Sequence, residues 1–348
     1  MKVNYPILML FLLLISPFYL SSQQIQKGLT SINGSAQLNR TKYTYNLVNQ
    51  LGLTPNYGKF VTNHLLLGVE ANVYKESVYN GKYINQKYPI YGQYYFNPTK
   101  KWVFFSELMA NYNSTYTIQQ SWGWGNNLYD SKSLGLSIGL GFIHFLNKEV
   151  VLQGKVNFEN YHYIGNLKKY DNTGGIKIGL NSFINFQDSS SFSKDHVGKG
   201  RRLFNADFSY MEEYYLSPIT PINGRINYGK FLSKGLLLGI SNEFGYDFDS
   251  PTFLDGITLL NIHFYTQYYQ KVRNKLYAHI KAQTGLTATS YLGNLTFGFS
   301  GGFDYFLTPY TMIEANLVSY DRAFAKSSQY NYDAFSYGPQ INIRYFLR

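Results

Sequence analysis

The chain contains no cysteine, which excludes disulfide bonds, thiolate metal ligands and lipid attachment through a thiol. Charge is scarce as well: 15% of residues are Asp, Glu, Lys or Arg, against about 25% in an average soluble domain. Beyond the first residues there is no apolar run long enough to cross a bilayer as a helix, which takes about 20 residues. What fills the space is aromatic. With 35 Tyr and 26 Phe the aromatic fraction reaches 18%, yet mean hydropathy is only −0.25. Many rings, few charges and modest hydropathy fit a wall that is apolar on one face and polar on the other.

The first residues read as a secretory signal peptide over 1–22. Lys2 supplies the positive start, Ile7 to Leu14 is continuously apolar, and Ser16-Pro17 breaks the run before Ser21-Ser22-Gln23. The formal net charge is +11, with Lys and Arg scattered through turns and strands rather than gathered in one motif. That scatter gives no ground for a nucleic-acid partner.

The dominant period is two. Leu134, Leu136, Ile138, Leu140 and Phe142 alternate with Ser133, Gly135, Ser137, Gly139 and Gly141. As a strand this gives one apolar and one small-residue face, whereas a helix would scatter both sets and concentrate glycines. Val150, Leu152, Val156 and Phe158 alternate with Val151, Gln153, Lys155, Asn157 and Glu159; Ile341, Ile343, Tyr345 and Leu347 alternate with Asn342, Arg344 and Phe346. Short connections (Thr62-Asn63-His64, Asn97 to Lys101, Asn147-Lys148-Glu149) alternate with long polar ones (Tyr74 to Lys87, Ser114 to Lys132, Ile164 to Gly174). Short periplasmic turns and long outer loops are the pattern of an outer-membrane barrel. Trp102, Tyr112 and Tyr161-His162-Tyr163 fall at strand ends, where headgroup-level rings belong.

The chain also repeats. Asn56-Tyr57-Gly58-Lys59-Phe60 returns as Asn227-Tyr228-Gly229-Lys230-Phe231, and Leu65-Leu66-Leu67-Gly68 as Leu236-Leu237-Leu238-Gly239. Each half reads as about eight strands: 23–187 and 201–348, joined by a polar periplasmic linker or turn over 188–200. The Asn33-Gly34-Ser35 opening, Pro55…Tyr57-Gly58-Lys59-Phe60, the turn into Leu65-Leu66-Leu67-Gly68, and Tyr94-Tyr95-Phe96 followed by Ser106-Glu107 resemble the outer-membrane β-barrel domain family. Members of that family are small eight-stranded barrels of the OmpX/OmpA type, and the resemblance covers nearly the whole mature chain, once per half. It implies no catalytic residues. The chain departs from the family at its end, where Tyr345-Phe346 is followed by Leu347-Arg348 rather than closing on an aromatic.

The expected fold is therefore all-β: a transmembrane antiparallel barrel of about sixteen strands, the alternative being two tandem eight-stranded barrels. Alternation places Glu70, Glu107, Lys155, Glu159, Lys177, Glu243, Lys281, Asp304, Glu314 and Arg344 on the inner face as interior or pore-lining residues. A porin-like passive channel for small solutes is the first functional expectation, and a closed structural or adhesion barrel acting through outer loops is the alternative. Trp122 and Trp124 would be contact residues of such a loop. An enzyme is not expected, because none of the six His sits beside a nucleophile and an orienting acid at a telling spacing. Cofactor, metal and catalytic sites are expected to be absent. The expected partners are outer-membrane lipid, the outer-membrane insertion machinery and an extracellular ligand that the sequence does not name.

Overall fold

The computed structural model of the chain describes residues 25–42, 47–78, 81–120, 126–164, 170–185, 197–215, 217–219, 221–247, 257–288, 293–326 and 331–347. The expected signal peptide, most of the 188–200 linker, Trp122 and Trp124 lie outside these residues. Among the described residues there are twenty-one strands and no helix.

In the first half, β1 (Thr30–Asn33) runs into β2 (Ser35–Lys42), β3 (Leu47–Leu53) into β4 (Asn56–Phe60), and β5 (Leu65–Glu70) into β6 (Asn72–Val78). Then come β7 (Gly81–Phe96), β8 (Trp102–Gln120), β9 (Asn126–Phe145), β10 (Val150–Tyr163) and β11 (Tyr170–Ile184). The second half holds β12 (Arg202–Tyr215), β13 (Ser217–Ile219), β14 (Pro221–Ser233), β15 (Leu236–Asp247), β16 (Ile257–Arg273), β17 (Leu276–Ala288), β18 (Gly293–Phe306), β19 (Thr311–Lys326), β20 (Asn331–Tyr337) and β21 (Gln340–Leu347). Counting each broken pair as one crossing gives about eight crossings per half, all paired antiparallel.

The two ends of the molecule are paired differently. At the short-turn end each half pairs with itself: Thr30↔Ile184 and Ile32↔Ser182 join β1 to β11, and Arg202↔Leu347 and Phe204↔Tyr345 join β12 to β21. A few residues further along, the partners exchange. Ser35↔Asn342 and Gln37↔Gln340 join β2 to β21, while Gly174↔Glu212 through Gly179↔Asp207 join β11 to β12. The ladders thus join each run of strands to itself at the short-turn end and to the other run at the long-loop end.

Where four strands exchange partners, backbone groups lose their ladder and need others. The Asn33 side-chain amide donates to the Leu180 carbonyl at 3.1 Å, and its Oδ1 accepts from the Tyr345 hydroxyl at 3.2 Å. Gly34 follows at φ 131°, and a Cβ there would lie 2.3 Å from the Thr54 carbonyl oxygen, so glycine is required. Below the exchange, the facing outer walls of the halves are sealed by Leu146, Val150, Leu152, Leu180, Tyr345 and Leu347. This explains why Val150 and Leu152, although on the outward face, are buried. Ser182 and Thr311 share a hydrogen bond of 2.7 Å across the same seam, and Asn147 donates to the Phe346 carbonyl at 3.2 Å.

Glu149, in the turn before β10, also joins the seam, accepting a hydrogen bond from the Thr308 hydroxyl. Burial pushes its carboxyl from the ordinary 4.5 up to about 7, opposed by the Thr308 bond and Lys148. A raised carboxyl pKa means that the folded state holds the proton more tightly than the unfolded one. Its stabilising contribution is complete below about 4.5 and is lost as pH rises through about 7, at most on the order of 3 kcal/mol. Unfolding followed by urea at pH 5 and pH 8 is expected to show greater stability at pH 5, and Glu149→Gln is expected to flatten that difference. An unchanged pH dependence in the variant would remove Glu149 from the seam.

Outward-facing side chains form a continuous apolar band. Leu136, Phe158 and Ile280 are 66%, 70% and 67% exposed, with Ile90, Leu108, Ile138, Leu140 and Phe264 similarly bare. Along β18 the band runs from Leu295 to Tyr305. Ten residues at about 3.3 Å each, tilted by roughly 40°, stand about 25 Å tall, the height of a lipid-facing girdle. Glycine and serine at Ser133, Gly135, Ser137 and Gly139 face inward, as the alternation requires.

Two stretches read from sequence as loops are strand instead. β7 begins at Gly81, β8 reaches Gln120 and β9 starts at Asn126, and their ladder continues to Gln120↔Asn126. Beyond the girdle both faces of these strands meet water, so the polar–apolar alternation that marks a strand disappears. The Thr-, Tyr- and Ile-rich composition of 114–118 keeps the β-preference. The result is a sheet projecting past the band on the long-loop side.

Candidate functional site: the two filled interiors

Both halves have the same interior plan. At the short-turn end lies an aromatic floor: Phe60, Tyr95, Phe105 and Phe183 in the first half, each at most 1% exposed. Phe60 packs on Tyr95 at 5.1 Å and edge-on to Phe183 at 5.2 Å. In the second half Phe231, Tyr269, Tyr277, Phe306 and Phe346 make the equivalent floor, with Phe306–Phe346 at 5.3 Å and Tyr277–Phe306 at 5.4 Å. Narrow walls leave inward rings no place but each other.

Above the first floor the polar groups are chained together. The Tyr95 hydroxyl donates to Gln93 Oε1 at 2.6 Å, and Gln93 Nε2 donates to Glu107 at 2.6 Å. Lys155 Nζ donates to the other Glu107 oxygen at 2.8 Å. Higher up, Lys87 Nζ reaches both Glu159 oxygens, at 2.9 and 2.8 Å, and the Tyr161 hydroxyl at 3.0 Å, while Asn111 also donates to Glu159. Glu70 accepts from Asn56 at 3.0 Å and Asn72 at 2.8 Å. Lys177 lies opposite Lys155 in the ladder, on the same inward face, and is exposed.

The second network is deeper. Arg344 Nη2 donates to Glu314 Oε1 at 2.5 Å, Gln267 to Glu314 Oε2 at 3.2 Å, and Asn316 to Glu314 Oε1 at 3.0 Å. His279 Nδ1 stands 2.6 Å from Asp304 Oδ2, and its Nε2 stands 2.8 Å from Asn316 Oδ1. Two oxygen acceptors on the two ring nitrogens are satisfied together by an imidazolium. Lys281 Nζ lies 4.6 Å from the Tyr265 ring centre. Nearer the long-loop side, Arg225 pairs with Glu243 at 2.8 Å, both partly exposed.

All ten residues assigned to the interior by alternation face inward, but most are tied into pairs rather than standing free along a pore. Glu107 meets Lys155, Glu314 meets Arg344, and Asp304 meets His279. His279, Asp304 and Glu314 place potential metal-ligand atoms within 4.8 Å of one another. Arg344 supplies positive charge in the same cluster, bonded to Glu314. Sequence reading missed Lys87, Asn111, His279 and Asp321. Lys87 was hidden in a stretch read as a loop, although it shares the parity of Gln93 and Tyr95. Asp321, which accepts from Gln283 Nε2 at 2.6 Å, was hidden by a bulge. Gly301 pairs with Val318 and Gly302 with Asn316, leaving Leu317 and Val318 both exposed, so the inward parity of β19 switches from even to odd.

The sequence repeat has a physical counterpart. The Tyr91 hydroxyl donates to Asn56 Oδ1 at 2.7 Å, and the Tyr265 hydroxyl to Asn227 Oδ1 at 2.6 Å. Each ring lies over a glycine: a Cβ on Gly68 or Gly239 would come within 2.3 Å of the Tyr91 or Tyr265 Cζ. Even the lead-in matches, since Gly28 N donates to the Phe60 carbonyl and Gly200 N to the Phe231 carbonyl, both at 2.8 Å. Gly68→Ala and Gly239→Ala are each expected to displace the ring and cost about 1–3 kcal/mol in urea unfolding. Equal losses would match the equivalence, and a neutral effect at one would break it.

No protein-family model matches the chain, and no curated protein matches it in sequence. Among solved structures, CdiB from Acinetobacter baumannii is similar over 91% of this chain and 60% of its own, at 10% identity and a TM-score of 0.46. This chain therefore spans about three fifths of the length of that protein. A bacterial polysaccharide outer membrane secretin is similar over 91% of this chain and 99% of its own, at 8% identity and 0.42. The Pseudomonas putida toluene transporter TodX is similar over 91% and 89%, at 10% identity and 0.37. The architecture stated above rests on the chain's own ladders and exposed band.

Proposed function

We propose that the protein is an integral outer-membrane β-barrel that works from its long-loop face, with both lumens shut to passive diffusion at the short-turn end. The observation that carries this is the pair of aromatic floors, whose rings are at most 3% exposed. Two further features support it: the lipid-height apolar band, and the sheet of β7, β8 and β9 that stands beyond it. The short turns then face the periplasm and the projecting sheet faces outward. The matching interiors support an origin by tandem duplication of a small eight-stranded barrel related to the OmpX/OmpA type, over 23–187 and 201–348. Biogenesis requires the insertion machinery, and no catalytic step is assigned.

A channel is the second reading, favoured by the exposed Lys177 and the partly exposed Arg225–Glu243 pair, which place water inside the wall from the long-loop side. Single-channel recording on the refolded chain in a planar bilayer separates the two. A folded, heat-modifiable protein is expected to give no steady, salt-proportional steps. Large stable steps would replace the closed reading with the channel, and charge reversal at Lys155 or Glu107 would then shift ion selectivity.

A further inference from the structure

The Lys and Arg residues that look scattered in the sequence are gathered by the fold. The short turns and the strand ends flanking them comprise residues 25–30, 59–64, 97–102, 146–150, 197–202, 230–236, 271–276 and 307–311. In these segments every charged side chain is a lysine or arginine except Glu149, whose carboxylate is half-buried against Thr308. The chain's whole excess, +11, is of the size that this one end carries.

Three of these cations lie on the outer wall rather than in the turns. Lys59 alternates with Tyr57 and Val61, all exposed, and sits opposite exposed Leu67. Lys230 is its repeat, alternating with exposed Tyr228 and Leu232 and opposite exposed Leu238. The other ladder neighbour of Lys230 is Arg202, directly opposite and on the same outward face. Like charges directly opposite on paired strands repel unless an anion lies between them. Trp102, Phe96 and Tyr94 are exposed at the same level, marking it as the boundary between hydrocarbon and headgroups.

We propose that this end binds the phosphates of anionic phospholipid in the adjacent leaflet, with Lys59 serving the first half and the Arg202–Lys230 pair the second. The apolar and aromatic neighbours of these cations fix the source of the anion. The stems of Lys59 and Lys230, set among exposed Tyr and Leu, hold their charged heads at the headgroup plane, where a lipid phosphate is, and Arg202 adds its charge directly opposite Lys230. The turn cations extend the positive field beyond it, and the effect is screened by salt.

The proposal rests on the chain being a membrane barrel, and the two are tested apart. Heat-modifiable insertion into vesicles of pure phosphatidylcholine reads the barrel alone. Spin-labelled lipid then reads the preference of the inserted full chain for phosphatidylglycerol over phosphatidylcholine. At low salt the wild type is expected to favour phosphatidylglycerol about threefold in its boundary layer. The triple variant Lys59→Gln/Arg202→Gln/Lys230→Gln is expected to fall to near parity while inserting normally, and high salt is expected to do the same to the wild type. Lys82→Gln/Lys132→Gln, at the other end, is expected to keep the preference. A wild type at parity, or a triple variant that retains its preference, would overturn the proposal. Loss of the preference in excess inorganic phosphate, at ionic strength matched with chloride, would assign the site to free anions instead. Retention of the solubilised protein on a soluble polyanion, without any lipid preference, would assign it to a periplasmic partner.

Discussion

Replacing Arg344 with methionine alone is expected to destabilise the protein by about 3–5 kcal/mol, one of the largest effects available to a single substitution in it. Glu314 is 1% exposed and Arg344 is 6% exposed. The pair is held at 2.5 Å beneath Gln267 and beside His279 and Asp304. Removing the guanidinium strands a carboxylate where water cannot reach, and the desolvation cost appears in full. Glu314→Leu in the Arg344→Met background removes both charges, and the double variant is expected to recover most of the loss. Urea unfolding of the refolded protein in micelles reads both. A single variant within 1 kcal/mol of wild type, or a double variant as poor as the single, would show that the pair is not the buried unit described. Lys155→Met against Glu107 is expected to follow the same rule more weakly, because Lys155 is partly exposed.

The second large effect concerns the strand exchange. Cysteines at Ile32 and Ser182 face each other where the first half pairs with itself, and cysteines at Ala36 and Ile341 where the halves pair with each other. The chain has no native cysteine, so an engineered pair has no competitor. Cα separations across antiparallel ladders, about 4.5–5.5 Å, are within disulfide reach. Both bonds are expected to form in the same folded molecule, read as a mobility change on a non-reducing gel. A closed 32–182 bond without 36–341 would mean two independent barrels. The reverse would mean one continuous sixteen-stranded wall. With both bonds closed, unfolding is expected to require reduction first.

Much of this architecture was legible in the residues. Alternation at Leu134 to Phe142 and at Lys155 to Glu159 assigned the faces, because a pleated strand with an apolar outer face and a polar inner face leaves each residue one of two environments. The Asn56–Phe60 segment recurs as Asn227–Phe231 in the sequence, but the Tyr91 and Tyr265 rings over Gly68 and Gly239 came only with the structure. Alternation stopped being informative where both faces see water, as in β8 beyond Tyr112, and where a bulge shifts the parity, as at Leu317-Val318. It was also blind at the seam. Val150 and Leu152 have outward parity, yet they are buried because a second wall lies against them.

The sequence by itself determined the class of wall: strands rather than helices, and which face of each strand is apolar. These are properties of period and composition within ten residues or so, where local geometry alone decides. Only the tertiary structure decided which strand edge meets which, that Asn33, Leu180 and Tyr345 mark an exchange of partners, and that inward charges are paired above aromatic floors. Those outcomes join residues more than a hundred positions apart. Their partners are set by where the ladder edges meet in space and by how much room the wall leaves inside, and neither quantity has a local signature.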